Sequence, residues 1–141
     1  MSDYNKALID DLRAHGGHST QPNWVGRQLL ILTTTGAKSG ERREMPLAYT
    51  RDGDRLVVVA SKGGAPTHPA WYHNIVANRS VTVEVDGERF AATASIPDGA
   101  ERRRLYDQHA ALHPSFREYE ERTERVIPVI VLQRKAASAA A

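Results

Sequence analysis

Lys38, Arg42 and Arg43 stand close together in TTTGAKSGERR, residues 33–43, among hydroxyls and glycines. Three cations beside Thr34, Thr35 and Ser39, with backbone N–H groups near Gly36 and Gly40, could cradle an anion through charge-assisted hydrogen bonds. A Walker phosphate loop is excluded by spacing, because Leu32 and Ala37 occupy its two required glycine positions. A dinucleotide fingerprint is excluded too, since no GxGxxG follows a strand-like run. The same residues also read as a polar hairpin turn whose cations are simply solvated. In SKGGAP, residues 61–66, Gly63 and Gly64 would let bare backbone approach a flat ring, or would form an ordinary turn after a strand. In HPAWYHNIVAN, residues 68–78, Trp71, Ile75 and Asn78 lie on helical spacing. By residue type alone, Trp71 is a core anchor and Asn74 a surface or capping residue. His68 and His73 suggest a metal, but the six histidines offer no further ligand pair at a zinc-like spacing, so none is expected.

The 141 residues are most simply one domain, 1–141, long enough to bury a core. The absence of cysteine excludes disulfides and thiolate metal sites. The net charge of +2 is too small to argue for nucleic acid. The charge is local instead: residues 27–62 hold seven Lys/Arg against four Asp/Glu, whereas 101–125 hold six of each sign. MSDYNKALIDDLRAHGG has no apolar run long enough for a signal peptide or membrane span, so a cytoplasmic protein is expected. It also lacks a basic amphipathic anchor, leaving at most transient contact with a membrane surface.

The elements that must position these residues follow from periodicity and turn chemistry. Tyr4, Leu8 and Leu12 recur on one face of a helix over 3–14, which HGGHST ends, so that 1–20 form a helix and loop. RQLLILTTT and REMPLAYTR read as strands flanking the basic turn, with Pro46 marking an edge or a bulge. Asp52-Gly53 leads into DRLVVVAS, and Asp86-Gly87 joins SVTVEV to RFAATASI. Pro69 opens a short crossover helix. Residues 98–123 read as helical with a break near His113-Pro114, and RVIPVIVLQ closes the chain as a sixth strand before a frayed tail, 135–141. Six antiparallel strands with helices at the ends and crossover give an α+β, mainly β chain built on a small barrel.

Three segments together, LTTTGAKSGERREMPL, VVVASKGGAPTHPAWYHNIVAN and HPSFREYEERTERVIPVIVL, resemble the deazaflavin (coenzyme F-420)-dependent nitroreductase family. The resemblance runs over about residues 4–134. It implies an FMN-binding-like split β-barrel and an oxidoreductase that uses reduced coenzyme F-420. That coenzyme carries a ring joined through a ribityl chain to a phosphodiester and an oligoglutamate tail, the chemistry that a lysine and paired arginines would hold. By similarity Lys38, Ser39, Gly40 and Arg43 hold the phosphate and tail, with Arg42 as a helper and Pro46 on the same strand. Ser61, Lys62, Gly63 and Gly64 meet the ring, and Trp71, Tyr72 and Asn74 line its groove.

The reaction so implied is hydride transfer to an electron-poor acceptor: a quinone, an unsaturated lactone or enone, or a nitroaromatic. Where relatives bring tyrosines over the ring, this chain has His113, Phe116 and Tyr119, and a further tyrosine of some relatives is Ala48 here. These four residues form the expected acceptor pocket. Tyr119 keeps the hydroxyl and is the expected proton donor, ahead of His113; Phe116 and Tyr119 also read as helix-face packing. The competing expectations are an FMN-dependent split-barrel oxidoreductase, whose phosphate would suit the same turn, and a non-catalytic deazaflavin carrier. Partners are limited to the small-molecule acceptor, in a monomer or homodimer.

Overall fold

The computed structural model describes residues 3–135, so of the expected tail only Lys135 lies within the described residues. In chain order the elements are α1 (Asp3–Ala14), β1 (Leu29–Thr35), β2 (Arg42–Ala48), β3 (Thr50–Asp52), β4 (Arg55–Val59), α2 (Ala70–Ala77), β5 (Ser80–Val85), β6 (Glu88–Ser95), α3 (Gly99–Leu112), α4 (Ser115–Glu121) and β7 (Val129–Arg134). A 3-10 turn, Lys62–Gly64, lies between β4 and α2.

All strands join one antiparallel sheet in the order β2-β1-β5-β6-β7-β4-β3. The two edge strands are consecutive in the chain. β2 ends at one edge, and one residue later β3 begins at the other, so the bend at the buried Tyr49 curls the sheet into the expected split barrel. REMPLAYTR therefore contributes two strands, and the described residues form seven strands, not the six expected. No glycine and no turn dipeptide stands at Tyr49, so nothing in the pattern marks the bend. The edge position expected from Pro46 is found in β2, where Pro46 faces Ile31. Asp86 and Gly87 both have positive φ, the geometry of a two-residue hairpin turn.

Strand alternation divides the core. Leu56 and Val58 point into the barrel with Leu30, Leu32, Trp71 and Ile75, while Val57 and Val59 point outward to pack against Leu105 and Tyr106 of α3. Burying each such aliphatic side chain contributes about 1.5–3 kcal/mol. On a third side, Leu8, Ile9 and Leu12 of α1 cover Leu29 and Ile31. Tyr4 remains half exposed, although it accepts a hydrogen bond from the Trp24 indole.

The break between α3 and α4 falls where expected, at His113-Pro114. His113 Nε2 donates to Tyr49 O over 3.0 Å, and His109 Nδ1 lies 3.4 Å from Thr50 Oγ1. His109 is fully buried and its Nε2 has no hydrogen-bond partner among the described residues. Burial pushes His109 down to about 3, helped slightly by His113, and burial also lowers His113. The unfolded chain gains an imidazole proton below about 6.5. Folding keeps His109 neutral until about 3, so its contribution is complete above about 6.5 and shrinks as pH falls, by about 1.4 kcal/mol per pH unit. Urea midpoints at pH 7.5 and 5.0 should separate widely for the parent chain and less for His109→Leu. Equal separations would remove His109 from this acid sensitivity.

Candidate functional site

The basic turn closes the β1–β2 hairpin, and part of its backbone is already committed. Gly36 N–H donates to Glu41 O at 2.7 Å, Gly40 N–H to Gly36 O at 2.9 Å and Glu41 N–H to Ser39 Oγ at 3.1 Å. The Ala37 N–H donates to Asn74 Oδ1 at 2.9 Å. Of the expected cradle of N–H groups near Gly36 and Gly40, those of Gly36, Ala37, Gly40 and Glu41 hold the turn itself. A Cβ on Gly36 would come within 2.5 Å of Ser39 Oγ, so this glycine serves the tight turn.

Asn74 is neither a surface residue nor a cap. It is buried on α2; beyond its bond from Ala37, its Nδ2 donates to Thr34 Oγ1 at 3.1 Å. One side chain thus ties the crossover helix to both the strand and the turn that follows it.

A cavity of about 780 Å3 opens beside this turn, within the size range of small-molecule sites. Lys38, Ser39, Arg42 and Arg43 form its polar rim, and Trp71 and Met45 are prominent in its apolar wall. Lys38 and Arg42 make no ion pair among the described residues, and Arg43 has only the exposed Glu41 at 3.2 Å. The acid in the lining, Glu44, is instead held by Arg13 of α1, which also bonds Glu84 at 2.8 Å. These bonds raise the Arg13 pKa, and Glu84, bonded by Arg13, is held below the usual carboxylate range. Neutralising Glu44 leaves the rim with a positive field.

Of the expected cofactor residues, Lys38, Ser39, Arg42, Arg43, Trp71 and Asn74 meet at this cavity. Gly40 lies in the same turn with open space around its Cα, and Pro46 lies further along β2. Ser61, Lys62, Gly63 and Gly64 form a separate loop at the end of β4. Gly63 has open space where a Cβ would stand. Gly64 does not: a Cβ there would lie 2.8 Å from Tyr119 O and 2.9 Å from Arg122 Cβ. On that side its bare backbone admits α4. Lys62 points its Nζ to Thr67 Oγ1 at 3.3 Å.

The expected acceptor residues divide between two places. Phe116 and Tyr119, with ring centroids 5.1 Å apart, pack partly buried against the α3 cluster. His113 is buried beside them, with 6.1 Å between its ring and Phe116. Ala48 packs instead with Trp24 against the α1 cluster. The position of α4 is fixed by Tyr106 Oη donating to Phe116 O at 2.6 Å and by Arg103 bonding Glu120 at 2.6 Å.

Arg125 was not marked by sequence reasoning, yet it organises the glycine loop. Its guanidinium donates to Ser61 O at 2.7 Å, Ala65 O at 2.8 Å, Ala60 O at 3.3 Å and His68 Nδ1 at 2.9 Å. Burial and the neighbouring Arg125 charge keep His68 below its ordinary pKa, which suits an accepting Nδ1. The His68 ring lies 4.6 Å from that of Tyr72 on α2, so the loop and the cavity wall meet on one helix. His73 and Ala70 also line the cavity; with Asn74 they show i, i+3, i+4 spacing that marks this face of α2. No group of three or more metal-ligating side chains occurs among the described residues. No helix among them is long and apolar enough to cross a membrane.

The donor set fits a ligand with an aromatic body and an anionic end. A family model described as "F420H(2)-dependent quinone reductase" matches residues 7–134. An F420H(2)-dependent quinone reductase of Mycobacterium tuberculosis is 43% identical over 111 residues, covering 75% of this chain and 73% of its own. A solved F420-H2-dependent reductase, FDR-A, superposes with a TM-score of 0.71 at 38% identity, covering 76% of this chain and 95% of its own. A solved chain described as a domain-swapped dimer gives a TM-score of 0.72 at 33% identity, covering 94% of this chain and 100% of its own.

Proposed function

The chain belongs to the F420H(2)-dependent quinone reductase family, and we propose that it binds reduced coenzyme F-420 beside the basic turn and reduces a quinone there. The observation that carries this reading is the cavity of about 780 Å3, apolar at Trp71 and Met45 and cationic at Lys38, Arg42 and Arg43. The rim matches the phosphodiester of the coenzyme, and the wall matches its ring. When bound, reduced F-420 supplies a hydride to an electron-poor acceptor.

The chain's own residues then have separate tasks. Lys38 and Arg43 hold the phosphate, with Arg42 beside them. Asn74 fixes the distance between that rim and the α2 wall through its bonds to Ala37 and Thr34. Trp71 shields the ring from water. A quinone taking up an electron pair with one proton needs a second proton, and Tyr119 Oη is the group we assign to deliver it. His113 is less suited, because its Nε2 is committed to Tyr49 O and burial keeps it neutral.

The test is a fluorescence titration of the purified chain with coenzyme F-420 and with FMN, followed by oxidation of reduced F-420 in the presence of a naphthoquinone. Saturable F-420 binding with quinone-dependent oxidation is expected. Binding of FMN in preference would move the chain to the flavin branch of the split barrel. F-420 binding without turnover, against any acceptor, would leave it a carrier.

A further inference from the structure

Arg13 lies outside the cation-rimmed cavity, yet it holds Glu44, the one acid among the residues that line it. Leu8, Ile9 and Leu12 dock α1 against Leu29 and Ile31 of β1, which sets Arg13 over the outer face of the sheet. Its Nε and Nη2 donate to Glu84 Oε1 and Oε2 at 3.0 and 2.8 Å. Nη1 donates to Glu44 Oε1 at 3.5 Å, and Nη2 also donates to Glu44 Oε2. One planar fork thus holds carboxylates from two strands.

The strand register brings Glu44 close to a different cation. Glu44 pairs with Thr33 and Arg42 with Thr35, so the two lie on the same face of β2, roughly 7 Å apart along the strand. Two long side chains can meet across that spacing. Arg42 nevertheless makes no ion pair among the described residues, and Glu44 bonds an arginine 31 positions away instead. The charge of Arg42 does reach this cluster. Arg13 hydrogen bonds hold Glu84 below the usual carboxylate range, and the charges of Arg89 and Arg42 lower it further. Half-exposed ion pairs of this kind add little to stability, and α1 is docked by its leucines and isoleucine, so the fold has small need of Arg13.

We propose that Arg13 is a positioning residue of the site: it holds the Glu44 carboxylate away from Arg42 and so leaves Arg42 free to meet an anionic ligand. The inference rests on the functional reading above and adds to it a residue of α1 that never touches the ligand. Without the guanidinium, Glu44 turns along its own strand face to Arg42. One rim cation is then neutralised, and a carboxylate stands where the ligand's negative charge should enter. Arg13 acts through Glu44 alone, so its loss is reversible by removing the charge of Glu44.

Fluorescence titration with coenzyme F-420 tests it in the parent chain, in Arg13→Gln and in the double variant Arg13→Gln, Glu44→Gln. Arg13→Gln should weaken binding about tenfold, and the double variant should return to within about twofold of the parent. The gap between the parent and Arg13→Gln should narrow at high salt, which screens the freed carboxylate. Arg42→Gln should weaken binding by the parent and add little in the Arg13→Gln background, because Arg42 is already occupied there. Parent-like affinity in Arg13→Gln would overturn the proposal. So would a loss that Glu44→Gln fails to restore, since a loosened α1 is not repaired by a neutral side chain on β2. Full additivity of Arg13→Gln and Arg42→Gln would overturn it as well. Failure of the parent chain to bind the coenzyme would instead overturn the functional reading, and the role of Arg13 with it.

Discussion

Replacing Lys38 and Arg43 together by alanine is expected to weaken coenzyme F-420 binding about 100-fold and to leave the fold unchanged. Two charge-assisted contacts to a phosphate contribute ~1.5–3 kcal/mol each when dry. Lys38 and Arg43 are exposed, however, so solvent screening lowers their sum to about 2.7 kcal/mol, which is the 100-fold stated. The fold should not notice, because no backbone bond of the turn depends on either side chain and the Arg43–Glu41 pair is a surface pair. Ionic strength offers an internal check. Salt should weaken binding by the parent chain and affect the variant less, as two of its rim charges are gone. An unchanged dissociation constant would show that the cations of this turn are only solvated.

The shape of that prediction depends on what could and could not be read in the residues. The turn's side chains were legible because cations, hydroxyls and glycines fall within one short stretch. Its backbone was not: the N–H groups of Gly36, Ala37, Gly40 and Glu41 are consumed by Glu41 O, Asn74 of another element, Gly36 O and Ser39 Oγ. Asn74 escaped because its partners stand 37 and 40 residues away, and helical spacing says which face a residue takes but not what it will meet. The Asp-Gly hairpin at 86–87 and the break at His113-Pro114 were legible because local sterics decide them. The bend at Tyr49 was not, since closure of the sheet, a property of all seven strands, decides it.

Gly64 shows the same division. Glycine type alone permits close approach of something, and both a ring and a protein segment satisfy that condition. The structure supplies the segment: α4, with Tyr119 and Arg122 against Gly64. This packing brings Tyr119 to the glycine loop, so the loop is less a bare platform than the seat of the helix that carries the assigned proton donor.

The same loop is where a single substitution should do the most damage to the fold. Arg125→Ala is expected to destabilise the chain by about 2–4 kcal/mol, because it strips hydrogen bonds from the carbonyls of Ala60, Ser61 and Ala65 and from His68 Nδ1. Arg125→Lys should recover little, since one ammonium cannot reach acceptors spread along the loop as a planar fork does. Urea unfolding gives the magnitude, and hydrogen exchange gives the place. Amides of residues 61–65 should exchange faster in the variant, whereas those of β1 and β5, away from Arg125, should change only as the global stability does. Coenzyme affinity should fall in Arg125→Ala even at temperatures where the chain stays folded, because the loop then loses its fixed distance from α2. Full stability in Arg125→Lys, or faster exchange spread evenly over the sheet, would show that Arg125 contributes charge or bulk rather than the geometry of the loop.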